Sequence, residues 1–479
     1  MKTLRLSEVA RMAGGRLEGE DGSVSALVTD TRTLADGDTA GRLFVAIKGD
    51  NFDGHDHVAA AAGKGVAAAL VSRVVDAPVA QVVVADTQMA LANLAASVQR
   101  GRPAKVAAIT GSNGKTSVKT LLLSILQAAD DNVYGNPGNR NNEIGLPLAV
   151  LDAPEDARFA VYEMGAGKPG DIAYLTAVVR PDVALVNNVA PAHLERMGSL
   201  LAIADTKAAI YDALPPQGVA VINADDAFAP YFAERAHGRR LIRFALEAGS
   251  DVGARDIVIT DAGSRFTLST PDGEATVELA MPGRHNVRNA LAAASMALGL
   301  GIGLDGIVRG LGGAEPVAGR LVTHRLRSGA LLVDDSYNAN PGSLAAAIDT
   351  LAEAPGEGWL VLGDMRELGA DALAMHAQAG RRAKAAGVTR LFALGELSAA
   401  AAHEFGEGGQ VHDSHASLVD ALRRDPANAA GIRILVKGSR GSAMDKVVMA
   451  LLSDSEAASD ADAHPHDAHP NKPGDNDAA

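Results

Sequence analysis

The sequence has no cysteine in 479 residues. That excludes disulfide cross-links, thiolate zinc sites and cysteine nucleophiles, and it suits a reducing compartment. A positive balance is also missing. Lys and Arg number 44 against 58 Asp and Glu, a formal net charge of −14. A broad basic face for duplex DNA or an anionic membrane is therefore not expected, though a local basic pocket for phosphates is still allowed. Long apolar runs are absent too. The stretch from Ala290 to Leu304 is short of the ~18–20 residues of a spanning helix. It carries Gly299, Gly301 and Gly303, so it reads as a buried helix ending in a glycine turn. The opening MKTLRLSEVARMAGG has Glu8 and Arg11 where a signal peptide needs an unbroken apolar core. The expectation is a soluble, cytoplasmic monomer with no nucleic-acid partner and no membrane insertion.

What is present is a globular composition, 47% hydrophobic and 21% charged. At ~150 residues per domain the length suggests about three domains. Short apolar runs alternate with helix-length segments. LFVAI, VAAALV and VVVA predict strands of a small first domain, residues 1–100. VAAIT, FAVYEMG, DVALVNNV and GVAVINAD predict parallel strands covered on both faces in a second, residues 101–318. SRFTLST and EATVELAM look like an antiparallel pair added to it. LLVDDSY, WLVLGDM, RLFALG and IRILVKG predict a third α/β body, residues 319–453. Residues 454–479 lose apolar periodicity and are rich in Asp, Ala, Pro and His, which predicts a disordered acidic tail.

The strongest local signal is strand, glycine loop, helix. VAAIT runs into Gly111, Ser112, Asn113, Gly114, Lys115, Thr116 and Ser117, and then into SVKTLLLSILQ. Val118, Leu121, Leu122, Ile125 and Leu126 share one helical face. Glycines let backbone N–H groups approach a phosphate chain, and a helix N-terminus adds partial positive charge. Lys115 is placed to reach the β and γ phosphates of ATP, and the Thr116 hydroxyl to bind Mg²⁺. Ile109 stands where the usual phosphate-loop pattern has its first glycine. An ordinary βα turn is the rival reading, but a turn has no need of Lys115 or Thr116.

This shortened loop, TGSNGKTSVK, resembles the ATP loop of the Mur ligase family. The resemblance continues in family order through GNRNNEIGLP, VYEMGAGKPGDI, LVNNVAPAHLERMGS and GRHNVRNALAA. DDSYNANPGS, LGDMRELG and VKGSRGSAMDKVV resemble the branch that adds D-Ala-D-Ala. The resemblance implies a three-domain α/β architecture: a small N-terminal domain, a central mostly parallel P-loop sheet and a Rossmann-like C-terminal domain. It also implies a reaction. The tripeptide carboxylate of UDP-MurNAc-tripeptide attacks the γ-phosphate of ATP, and the amine of D-Ala-D-Ala displaces phosphate from the acyl phosphate. The enzyme's task is then positioning and charge neutralisation.

Site residues follow from the same resemblance. Glu163, at a strand end, matches a metal-binding glutamate, and His193 a ligand of a second Mg²⁺. Lys207 matches a lysine that reacts with CO₂ to form a carbamate, although Ala208-Ala209 replace the usual Gly-Glu after it. Carbamate formation needs a neutral, desolvated amine. Asn289 is the expected base contact of ATP, with His285 and Asn286 beside it; capping of the helix by Asn286 is the plainer alternative. Arg320 resembles an arginine that reaches the ATP phosphates when domains close. Asp335, Tyr337, Asn338 and Asn340 are expected to meet nucleotide or dipeptide. In the first domain Thr31, Arg32, Lys48, Asp53 and His55 resemble a UDP-sugar site. Asn141 and Asn142 are expected on the muramoyl-peptide side.

Rival readings differ in the third domain. The family branch that adds a diamino acid is expected to carry DNPR there, and this chain has NANPGS instead. Folylpolyglutamate synthase is a related ligase without a UDP-type first domain. A nucleotide-driven switch would need neither that domain nor an acceptor site.

Overall fold

The structure, a computed structural model of the chain, describes residues 1–34, 39–49, 51–191 and 194–462. It divides into two compact units. The first takes in Met1–Val317 with Asn340–Ala346 and Glu367–Ala372. The second takes in Ala318–Ala339, Ala347–Arg366 and the chain from Leu373 onward.

Two large sheets build the first unit. The N-terminal one has five strands in the order Arg16–Glu18, Ala80–Val83, Ala68–Val71, Arg42–Val45, Ala26–Val28, parallel except at the Arg16–Glu18 edge. The other has nine strands. Its parallel part runs Val252–Thr260, Arg240–Ala245, Val219–Asn223, Val183–Val186, Lys105–Thr110, Phe159–Glu163, Val133–Gly135. Gly263–Thr270 and Gly273–Leu279 extend it antiparallel. The expected pair is thus joined to the sheet through a third long strand, Val252–Thr260, whose alternation is blurred by outward residues such as Val258.

The central strands read as unbroken apolar runs because both faces are covered. Val106 and Ala108 pack in one core, and Ala107 and Ile109 in another on the opposite face. The same alternation holds for Ala160 and Tyr162 against Phe159 and Val161. The helix Arg284–Leu300 lies in the second of these cores and ends at Gly301, whose φ of 91° closes the turn foreseen from the glycines. Register places Glu163 beside Ile109 and Val186 beside Thr110. Three neighbouring strands therefore end together at the carboxyl edge. Strand order reverses around Lys105–Thr110, which is where ligands sit in such sheets.

The second unit carries a six-stranded sheet: Val322–Arg325, Leu331–Asp335, Ile432–Lys437, Glu357–Gly363, Arg390–Leu394, Gly409–His412, antiparallel only at its first edge. Its core centres on the fully buried Trp359, with the Phe392 ring centroid 5.6 Å away. The helix Asp445–Asp462 continues past 454, into the segment expected as tail; residues 463–479 lie outside the described residues. Among the described residues no helix is long and apolar enough to cross a membrane.

Candidate active site

The glycine loop joins the strand Lys105–Thr110 to the helix Lys115–Gln127. Gly114 precedes the helix at φ 77° and has no side chain to cap the first turn, an arrangement that suits an anion at the helix N-terminus. Gly114 is also there because nothing larger fits. A Cβ on it would stand 2.5 Å from Asn289 Oδ1 and 2.6 Å from Asn187 Nδ2. The earlier part of the loop is held from the strand end Val183–Val186 onward. Ser112 N–H donates to the Asn188 carbonyl at 3.0 Å, and Asn113 N–H to Asn188 Oδ1 at 2.8 Å. Asn187 Nδ2 donates to the Asn113 carbonyl at 2.9 Å. Lys115 Nζ reaches back to the Gly111 carbonyl at 2.8 Å, across the mouth of its own loop. Ser117 is buried in the first turn.

Thr116 Oγ1 donates to Glu163 Oε2 at 2.9 Å. Glu163 is 4% exposed. Burial pushes its carboxyl up, but the charges of Lys115 and Lys119, with hydrogen bonds from Asn141 and Thr116, outweigh burial and hold it below its ordinary value. The carboxylate is anionic and hard, and it sits beside the loop hydroxyl. Asn141 Nδ2 donates to its other oxygen at 2.9 Å. Asn142 Oδ1 accepts from Gly145 N–H at 2.8 Å, where the helix Gly145–Asp152 begins.

Lys207 is 3% exposed in the helix Leu200–Asp212. Desolvation, and then the neighbouring charge of Lys115, push its amine from 10.5 down to about 7. His193 lies outside the described residues. Asn289, the expected base contact, packs against the phosphate loop through its neighbours. Its Oδ1 accepts from Asn187 Nδ2 at 3.2 Å and its Nδ2 faces Asn286 Oδ1 at 3.4 Å. It therefore forms the floor of the phosphate loop. Asn286 donates to the Pro282 carbonyl at 2.9 Å, and no side chain caps that helix.

In the N-terminal sheet, Asp30 caps the turn Thr31–Thr33 and also grips Arg32, with Nη2 to Oδ2 at 2.7 Å. The Arg32 side chain stays 89% exposed. Lys64 Nζ supports the same turn through the Thr31 carbonyl at 2.8 Å. Lys48 is exposed, and its backbone pairs antiparallel with that of Asp53. His55 is not on the surface: it is 2% exposed. Asp53 Oδ1 lies 2.6 Å from its Nδ1, and Ser72 N–H donates to its Nε2 at 2.8 Å. That backbone donor leaves the proton on Nδ1, so His55 pins the loop to the end of the strand Ala68–Val71. Asp53 is held well below the usual carboxylate range, first by the His55 backbone and ring hydrogen bonds and then by Arg73.

In the second unit, the Arg320 guanidinium stacks over the Tyr337 ring at 4.4 Å. Asp335 is buried against Lys437, Nζ to Oδ2 at 2.5 Å, and the same ammonium donates to the Asn338 carbonyl at 3.0 Å. Burial raises the Asp335 carboxyl and Lys437 opposes it. The Asn338 residue is itself exposed. In the segment Asn340–Ala346, which belongs to the first unit, Asn340 and Ser343 exchange hydrogen bonds, Asn340 Oδ1 accepting from Ser343 N–H at 2.9 Å. This pair caps the helix Pro341–Glu353. A cavity of about 790 Å³ opens at the strand ends, lined by Asp364, Arg366, Glu396, His412, Asp413 and His415 among others.

Comparison with known proteins agrees with this geometry. Residues 109–297 match the model of the Mur ligase middle domain, and residues 319–440 that of the Mur ligase glutamate ligase domain. The UDP-N-acetylmuramoyl-tripeptide–D-alanyl-D-alanine ligase of Escherichia coli K12 is 44% identical over 452 residues, covering 94% of this chain and 99% of that protein. The chain belongs to the Mur ligase family. A crystal structure of MurF from Acinetobacter baumannii superposes with a TM-score of 0.88 at 32% identity, over 95% of this chain and 99% of that one. MurF ligase from Thermotoga maritima in complex with ADP gives 0.80 at 28% identity, over 91% and 99%.

Within this Mur ligase fold, Glu163 meets Thr116 of the loop, and Asn141, expected on the muramoyl-peptide side, also bonds to Glu163. Sequence reasoning missed Lys119, Asn136, Asn187, Asn188 and Lys437. The doubled asparagine after an apolar strand and the lysine of IRILVKG were the available signals, since polar residues at parallel strand ends line ligand sites.

Proposed function

We propose that the chain is an ATP-dependent amide ligase that couples D-Ala-D-Ala to the tripeptide carboxylate of UDP-MurNAc-tripeptide, yielding the pentapeptide, ADP and phosphate for peptidoglycan synthesis. The observation that carries the reading is the uncapped glycine loop with Thr116 and buried anionic Glu163 in contact at its edge. The chemistry balances simply. A carboxylate oxygen takes the γ-phosphoryl group and ADP leaves. The dipeptide amine then attacks the acyl carbon, loses a proton, and phosphate leaves. Lys115 and the first-turn N–H groups neutralise the phosphates. Thr116 and Glu163 offer the hard oxygen donors that Mg²⁺ prefers, and Mg²⁺ bound there would offset phosphate charge.

Lys207 is read as the carbamate site. Its buried amine, lowered to about 7, is available in neutral form for CO₂. The uridine diphosphate end is assigned to Thr31, Arg32 and Lys48, with Asp53 and His55 shaping the loop beneath. The dipeptide is assigned to the second-unit cavity, where Arg366 and His415 suit a carboxylate and Asp364, Glu396 and Asp413 an ammonium. Cytoplasmic ATP and a cysteine-free chain suit the cytoplasm, and the chain is read as a monomer.

The test is phosphate release with ATP and Mg²⁺, supplying the sugar-tripeptide and the dipeptide separately and together, with mass detection. Release that needs both, with a pentapeptide product lost in Lys115→Ala, is expected. Release without the dipeptide, or ligation by Lys115→Ala, refutes the reading.

A further inference from the structure

The phosphate-loop helix carries a second lysine one turn beyond Lys115. The Lys119 side chain is only 7% exposed. Its Nζ donates to the Asn136 carbonyl at 3.0 Å and the Gly138 carbonyl at 3.3 Å, and it stands 3.4 Å from Glu163 Oε2. An ammonium has three donors, and three oxygens surround this one. Asn136 strengthens the same junction. Its Oδ1 accepts from Glu163 N–H at 2.9 Å, and its Nδ2 donates to the carbonyls of Arg140 at 2.9 Å and Glu163 at 3.1 Å. Asn141 closes the circuit on Glu163 Oε1. The loop helix, the end of the strand Phe159–Glu163 and the segment 136–141 are thus bonded as one piece.

A buried ammonium costs free energy unless it is paired, and an apolar side chain would fill this helix position without that cost. Every group that offsets the cost here belongs to the site. Without the cation, two carbonyl oxygens and a carboxylate would face one another in a water-poor space. The segment 136–141 has no strand or helix of its own to hold it.

We propose that Lys119 is a positioning residue for ligation: its ammonium fixes the Glu163 carboxylate and the 136–142 loop in one arrangement, so that the loop is set for the sugar-peptide substrate. The inference rests on the reading of Asn141 and its loop as the sugar-peptide side. It assigns Lys119 no contact with substrate.

The test uses the full-length enzyme with Lys119→Met, which keeps chain length, and Lys119→Arg, which keeps charge. Losing charge-assisted hydrogen bonds predicts that Lys119→Met raises KM for the UDP-tripeptide about tenfold or more, with kcat within about threefold. ADP affinity measured in EDTA stays within about twofold, because the loop N–H groups and Lys115 are untouched. Amide exchange of peptides covering 136–142 speeds up in the substrate-free protein, while peptides of the N-terminal sheet are unchanged. Lys119→Arg recovers part of the KM. Wild-type KM and exchange in Lys119→Met overturn the proposal. So does a rise in exchange across the whole central domain with ATP and UDP-tripeptide KM raised alike, since that marks a lost core residue. If Lys119→Met does not fold, Lys119→Gln is judged by the same criteria. A wild-type enzyme that makes no pentapeptide refutes the functional reading instead, and the exchange comparison still decides whether Lys119 holds the loop.

Discussion

Replacing Lys207 by Met is expected to stabilise the first unit while abolishing ligation. The amine is buried and lowered from 10.5 to about 7. A shift of that size corresponds to about 5 kcal/mol of penalty for the charged form, an upper bound. The sign follows from proton binding. Between pH 7 and 10.5 the unfolded chain holds the proton and the folded one does not, so stability rises with pH across that window. Below pH 7 both states are protonated and the penalty is carried in full. Methionine removes the charge and keeps most of the packing. Part of the gain is lost to imperfect fit, leaving ~2 kcal/mol at pH 6, or roughly 3 °C for a body of this size.

The assay is thermal unfolding of apo wild-type and Lys207→Met in CO₂-free buffers from pH 6 to 10. The gain is largest at pH 6 and shrinks toward pH 10. A gain independent of pH, or none at pH 6, refutes the argument that this lysine is buried at a cost. The same shift bears on the carbamate. At pH 7 about half the amine is neutral, roughly a thousandfold more than for an ordinary lysine. ¹³C-bicarbonate should therefore give a carbamate resonance in wild-type that is lost in Lys207→Met. A spectrum without that resonance at pH 8 removes the carbamate assignment.

Three further outcomes follow from the geometry. Gly114→Ala places a Cβ 2.5 Å from Asn289 Oδ1 at a positive φ and should weaken ADP binding at least ~30-fold; Gly14→Ala, with φ 76° and open space around it, is the control that should leave ADP affinity unchanged. His55→Ala leaves the Ser72 N–H and Asp53 without their shared partner and should weaken UDP-tripeptide binding about tenfold, with ADP affinity unaltered in calorimetry. Lys437→Met strands a buried carboxylate and should destabilise the second unit by about 3–5 kcal/mol, with Asp335→Leu in the same chain restoring most of it. The burial-raised Asp335 carboxyl makes the folded state the better proton binder, so that loss should be smaller at pH 5 than at pH 8 in denaturant titrations.

These residues also mark where sequence reading succeeds and stops. The strands FAVYE, VALV and VAVIN were legible because a sheet covered on both faces leaves no polar side to interrupt them. The phosphate loop was legible because strand, glycines, lysine and threonine are contiguous and each has a local reason. Lys119, Lys207 and His55 were not legible as buried groups. A lysine on a helix reads as solvent-facing until the helix is known to be covered, and burial comes from elements far along the chain. Lys119 is held by carbonyls 17 and 19 positions away, and Lys437 by a carboxylate 102 positions away. Asn289 shows the same limit. Resemblance singled it out as a base contact, but its pairing with Asn187, 102 residues earlier and just past the strand Val183–Val186, had no signal in the sequence. Residue type and spacing predict which chemistry is possible at a strand end. Which polar groups are spent on holding the loop, and which are left to meet substrate, is decided by pairings that only the folded chain creates.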